Sequence, residues 1–189
     1  MSRAYRVSVR ETRSRVIRAE DHVSTQLEIL EVLPPEQMAG LLADELKRRG
    51  FERDGTRLTR KQSGVTVTVE TITSTVTVAA EASEETTIQA ERTDRAYDDV
   101  GPHAKVVREN LKKQLEKDIE RKVSEKTAGL QTKVTDRLER ELNDVRQELD
   151  EVIHHVTAEA LKRKAAQMGQ IKEMTEDPQA GSLTIVVEV

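Results

Sequence analysis

Glu151, His154 and His155 are the residues whose types and spacing come nearest to a metal site. On a helix, positions three and four apart are neighbours, so this carboxylate and these imidazoles would share one face. Di-iron carboxylate bundles use such an ExxH step, but they also need a second ExxH and two further glutamates on facing helices. The other histidines, His22 and His103, have no such neighbour, so only a second copy of the chain could complete the set. There is no HExxH, no GxSxG around a serine, and no cysteine. Disulfides, thiolate metal sites and cysteine nucleophiles are therefore excluded. The plainer reading is a solvated helical surface. The expectation is a protein that is not an enzyme, with no catalytic residue, metal or cofactor. A metal-dependent enzyme using Glu151, His154 and His155 is kept as an alternative.

The N-terminus poses a second question. Arg3, Arg6, Arg10, Arg13, Arg15 and Arg18 oppose only Glu11 in the first 18 residues. In extended chain, Arg6 and Arg10 share one face, and Arg13 and Arg15 share another. A stripe of this kind can contact phosphates. It can equally be the charged face of an edge strand, which discourages sheet-to-sheet aggregation, or a docking surface for an acidic partner. The net charge is only −4, which gives no global attraction to nucleic acid or to an anionic membrane. Tyr5, Phe51 and Tyr97 are the only aromatics, too few to stack bases. Nucleic acid through Arg6, Arg10, Arg13, Arg15 and Arg18 is thus an alternative, not the expected partner.

These residues need elements to hold them. Tyr5, Val7 and Val9 alternate with Arg6, Ser8 and Arg10, the period of a half-buried strand. A second strand is expected over Arg13–Ala19. The stretch from Val23 to Leu33 also reads as strand, with a helical alternative through Val23, Leu27 and Leu30. Pro34-Pro35 opens a helix, since proline suits the first turn. Met38, Leu41, Leu42 and Leu46 form its stripe, and Gly50 then caps it, with Phe51 placed for a capping contact. Asp54-Gly55 marks a turn. Val65, Val67 and Val69, then Val76 and Val78, give two strands joined by Thr71–Ser74. With 2% aromatic and 35% charged residues, the core must come from aliphatic side chains and be modest.

After Pro102 no proline occurs until Pro178. Apolar residues recur in steps of four from Val107 to Val123. From Leu138 through Leu142, Val145, Leu149, Val152 and Val156 the steps alternate four and three, a heptad seam. A step of four drifts about 40° on a helix, so the two stripes do not make one continuous seam. Residues 105–126 carry eight basic and five acidic residues, while 133–151 carry four and seven. Opposite charges suit an intrachain helical hairpin turning near Gly129. The rival is a continuous helix that pairs antiparallel with a second copy. The ending GSLTIVVEV reads as a strand, and a lone strand must join a sheet. No apolar run approaches the roughly 18 residues of a membrane helix, nor is there a secretory apolar run at the start. A cytoplasmic location is expected.

DHVSTQLEILEVLPPEQMAGLLADELKRRGFERDG and LKRKAAQMGQIKEMTEDPQAGSLTIVVEV together cover about half of the chain. They resemble a bacterial accessory family encoded in ternary systems of AAA+ ATPases (FtsH- or MoxR-like) and von Willebrand A-domain proteins. The resemblance implies an accessory or adaptor role beside an ATPase and brings no catalytic residues. The expected fold is α+β. Residues 1–100 form a small, mostly antiparallel sheet with one packed helix. Residues 102–170 form a long charged helical hairpin or coiled coil, and 181–189 a strand returning to the sheet. The expected function is a non-enzymatic adaptor or scaffold. Leu138, Leu142, Val145, Leu149, Val152 and Val156 would bind a protein partner or a second copy.

Overall fold

The computed structural model describes residues 4–97, 103–177 and 182–188. Arg3, the domain boundary expected at residues 100–102, and Pro178 lie outside them. The elements are β1 (Ala4–Gln26), α1 (Pro35–Arg48), β2 (Glu52–Asp54), β3 (Arg57–Gln62), β4 (Val65–Glu70), β5 (Thr75–Tyr97), α2 (Ala104–Met168), β6 (Gln170–Asp177) and β7 (Ser182–Glu188). The architecture is α+β, with a five-stranded sheet in the order β1-β5-β4-β3-β2 and a separate β6-β7 pair. The chain forms two compact units. One is Met1–Glu20 with Glu81–Val134, and the other is Asp21–Ala80 with Thr135–Val189.

In the first unit, β1 and β5 form a ribbon held by polar cross-strand contacts. Ser8 donates to Glu91 (2.8 Å), and the Ser14 and Thr87 hydroxyls meet at 3.0 Å. Alternate residues face the first part of α2. Val7 and Ala96 bury Val107 and Leu111, while Ile88 and Ala90 bury Leu115 and Ile119. The step-of-four stripe is therefore covered by strands, not by a second helix.

In the second unit, α1 begins at Pro35, as expected, and stops where Gly50 takes φ +83°. The Phe51 N–H reaches back to the Leu46 carbonyl (3.1 Å), the six-to-one bond of a Schellman cap. Tight turns at Gly55-Thr56 and Ser63-Gly64 join β2, β3 and β4. Thr71–Ser74 joins β4 to β5, and Val65, Val67, Val69, Val76 and Val78 all point inward and are buried.

Four expectations are corrected. First, α2 is one helix of 65 residues and runs unbroken through Gly129. An interior glycine costs about 1 kcal/mol against alanine, too little to force a turn. Second, the coiled-coil partner helix is not what meets the Leu138–Val156 seam. Val145 lines one groove with Val65 and Val67 and another with Val76 and Val78, so strands flank it. Third, the C-terminal strand β7 does not return to the five-stranded sheet. It pairs antiparallel with β6, a strand too polar to read from sequence. Fourth, β1 is a single 23-residue strand that ends at Gln26, where two shorter strands and a continuation to Leu33 were expected. Residues 27–34 have no regular structure, yet Leu27 and Leu33 are buried.

Candidate functional site: a sheet edge beside an apolar groove

Within the second unit, the last residues of β1 lie beside α2. Val23, Thr25 and Leu27 face the helix, and across from them stand Leu142, Leu149 and Ile153. Between them opens a groove of about 840 Å³. Its floor is apolar because the odd residues of a strand share one face and the helical residues 142, 145, 149 and 153 recur every three to four. Val23 keeps 43% of its surface exposed, and Leu142 and Ile153 are half-buried, so the apolar lining reaches solvent. A second groove of about 480 Å³ shares Thr25, Gln26, Leu27 and Glu28 and adds Glu31, Met38 and the exposed Ile72.

The groove runs along a sheet edge. β1 ends the strand order, so β5 is its only described neighbour. The Leu27 N–H donates to the Ser74 carbonyl at 2.7 Å, on the β5 side. Ser24 and Thr77, whose hydroxyls lie 2.8 Å apart, keep the same register. Backbone groups alternate sides along an antiparallel strand. The N–H and C=O groups of His22, Ser24 and Gln26 therefore turn to the free side. The His22 N–H is held by the Asp21 carboxylate at 2.9 Å.

Beyond the groove, ion pairs fix α2 to the rest of the unit. Arg60 binds Glu148 through both terminal nitrogens, donates to the Arg49 carbonyl (3.1 Å), and lies 4.6 Å from the Phe51 ring centre. Arg49 reaches both Glu45 and Glu151 at 3.0 Å. These contacts hold the arginines more firmly in their charged form, with hydrogen bonds to Glu148 and Glu151 as the leading causes.

The residues singled out from sequence fall as follows. Leu138, Val145, Leu149, Val152 and Val156 are buried inside the chain, and Leu142 is half-buried at the groove. Leu142, Val145 and Leu149 come together there, while Leu138, Val152 and Val156 are not among its lining residues. The arginines do not make one stripe. Arg6, Arg10 and Arg18 alternate with the buried Val7, Ile17 and Ala19, whereas Arg13 turns the other way, to Glu11 and Glu116. Arg10 is taken by Glu91 at 2.7 Å, and this guanidinium holds the Glu91 carboxyl below the usual range. Arg15 is exposed. Glu151 faces Arg49, His154 lines the groove and His155 is exposed. Among the described residues, no three His, Cys, Asp or Glu side chains gather to hold a metal. Sequence reasoning missed Val23, Leu27 and Ile153 as groove residues. The alternation through Val23 and Leu27 was visible, but their meeting with α2 was not.

A sequence model described as FtsH ternary system domain X5 matches residues 1–189. The chain belongs to that family. The resemblance read from its two segments therefore holds at the level of an FtsH-associated accessory family. The chain matches no curated protein and no solved structure. No helix among the described residues is long and apolar enough to cross a membrane.

Proposed function

We propose that this chain is a non-enzymatic accessory protein of an FtsH ternary system, working in the cytoplasm and binding a protein partner or a second copy of itself. Family membership supports the accessory role. The observation that carries the binding reading is the apolar groove left open beside the free edge of β1. Apolar surface exposed along a concave face is where partners gain most from burial. On this reading Leu142, Val145 and Leu149 form the helical wall of the site, and Leu138, Val152 and Val156 anchor that wall. The AAA+ ATPase and a von Willebrand A-domain protein are the partner classes drawn from the resemblance. Ion pairs already occupy Arg10 and Arg13, which makes nucleic acid the weaker reading.

Co-purification with FtsH-system proteins from the same cell tests the proposal. One such protein should come down in stoichiometric amount, and Leu142→Arg with Ile153→Arg should release it while the melting temperature holds. A strictly monomeric chain that retains none of them would sink the reading.

A further inference from the structure

The open edge and the groove together specify a mode of binding. We propose that the Asp21–Gln26 edge of β1 accepts an extended segment of a partner protein as an added antiparallel strand. Its alternate apolar side chains enter the groove, and basic side chains flank them. This deepens the accessory reading above and rests on it.

Three observations converge. The first is the backbone. Ser24 and Gln26 turn their N–H and C=O groups away from β5, and β1 has no second described neighbour. An edge in this state is a template for another strand. Added strands take their affinity from main-chain hydrogen bonds and their specificity from pockets for alternate side chains.

The second is the groove. A strand placed about 4.8 Å beyond β1 would send every other side chain toward the helical wall at Leu142, Leu149 and Ile153. Val23, on the same face of β1, would lose its exposure to that side chain.

The third is charge. Residues 21–36 contain Asp21, Glu28, Glu31 and Glu36 and not one lysine or arginine. Glu28 and Asp150 line the groove against Arg146 alone, and Glu31 lines its continuation. The first part of β1 reverses this balance with its arginines, so the acidic character is local to the open groove. It favours a basic ligand and opposes an acidic one.

Charge also excludes the most obvious occupant within the chain. The β6-β7 pair presents Leu183, Ile185 and Val187 half-buried on one face, the kind of strand such a groove would accept. Its residues 170–188 nevertheless carry Glu173, Glu176, Asp177 and Glu188 against Lys172. A second copy's C-terminal strands would therefore meet the groove with like charge.

The probe is a fluorescein-labelled nine-residue peptide with Val at alternate positions of its centre and two Lys at each end to flank them, titrated into the full chain and followed by anisotropy. The controls are the same peptide with Glu for Lys, and one N-methylated at alternate residues so that it cannot pair with an edge. The expected result is saturable binding of the Lys-Val peptide that weakens as salt rises, with no binding by the Glu form. N-methylation, Ile153→Asp and Ser24→Pro should each weaken it at least about tenfold, or 1.4 kcal/mol. Proline at position 24 removes an N–H that faces the free side and the hydroxyl that meets Thr77, while β1 keeps its backbone bonds to β5. Circular dichroism confirms that each variant folds, and the N-methylated peptide needs no variant at all. Equal binding of the Lys and Glu peptides overturns the proposal, as does Lys-Val binding that survives N-methylation. So does self-association that is lost when residues 170–189 are removed. If the peptide does not bind while an FtsH-system protein still co-purifies, strand addition fails and the accessory role stands.

Discussion

The two compact units solve the burial of α2 with unequal means. The first has two strands and one stretch of helix, and its described apolar contacts include two small clusters around Leu111 and Leu115, with Ile17, Ala19, Leu130 and Val134 also buried. Polar pairs such as Arg10–Glu91 and Arg92–Asp118 add to them. The second adds α1 and the β2-β3-β4 strands, so Leu42, Leu46, Leu58 and Val69 are almost fully buried. Regions with fewer buried apolar contacts open at lower free energy. The first unit should accordingly be the softer one, and the groove sits in the firmer one, on a rigid support.

The sharpest way to break this comparison is to empty each core. Leu46→Ala should cost about 2–5 kcal/mol in denaturant unfolding, and Ile119→Ala about 2 kcal/mol, because a small cluster relaxes into a cavity more readily. Hydrogen exchange should show the Ile119 effect confined to residues 4–20 and 81–134. Equal, global losses would erase the distinction. Next comes Arg60→Ala, expected to cost about 2 kcal/mol, since Glu148 is left partly buried without its charge partner. Arg60→Lys should recover only part, because it cannot make the two-pronged contact.

A smaller effect, of opposite sign, is expected at Gly129. Alanine there should stabilise the protein by about 1 kcal/mol, since an added Cβ meets nothing within 4 Å. A helical hairpin turning at Gly129 would make the same change destabilising, so the sign discriminates between the two paths. The smallest effect concerns acid. Arg92 holds the Asp118 carboxyl below its usual range and Arg10 does the same for Glu91, in each case chiefly by a hydrogen bond. A carboxylate whose folded pKa is depressed adds stability above its unfolded pKa and loses it as pH falls through the folded one. Exchange protection in the first unit should therefore fade on acidification through and below the ordinary carboxylate range. Arg10→Ala with Arg92→Ala should flatten that dependence.

What could be read from the sequence was what local chemistry decides. Pro34-Pro35, the Met38–Leu46 stripe and Gly50 fix α1 within 17 residues, and the valine alternation with its turns fixes β3, β4 and the start of β5. The pairing of the ribbon was not legible. Residues 86–98 suggest a further strand by themselves, but nothing local shows that Ser8, Arg10 and Ser14 lie opposite, more than seventy residues away. The same distance hid the site. Leu142, Val145 and Leu149 were recognisable as an apolar seam, but not that strands, rather than a helix, would flank it.

That separation also sets an order of events at the ribosome. β1 ends at Gln26 and must wait until Tyr97 before its whole partner has been made. At about 5–20 residues per second, the delay is on the order of ten seconds. Meanwhile α1 and the β3-β4 pair can close through short loops, whereas the β1-β5 ladder must close a long one and so comes late. During that interval both edges of β1 stand open. The arginines at 6, 10, 13, 15 and 18 are the charges on that waiting strand, and like charges of this kind disfavour pairing between two exposed copies.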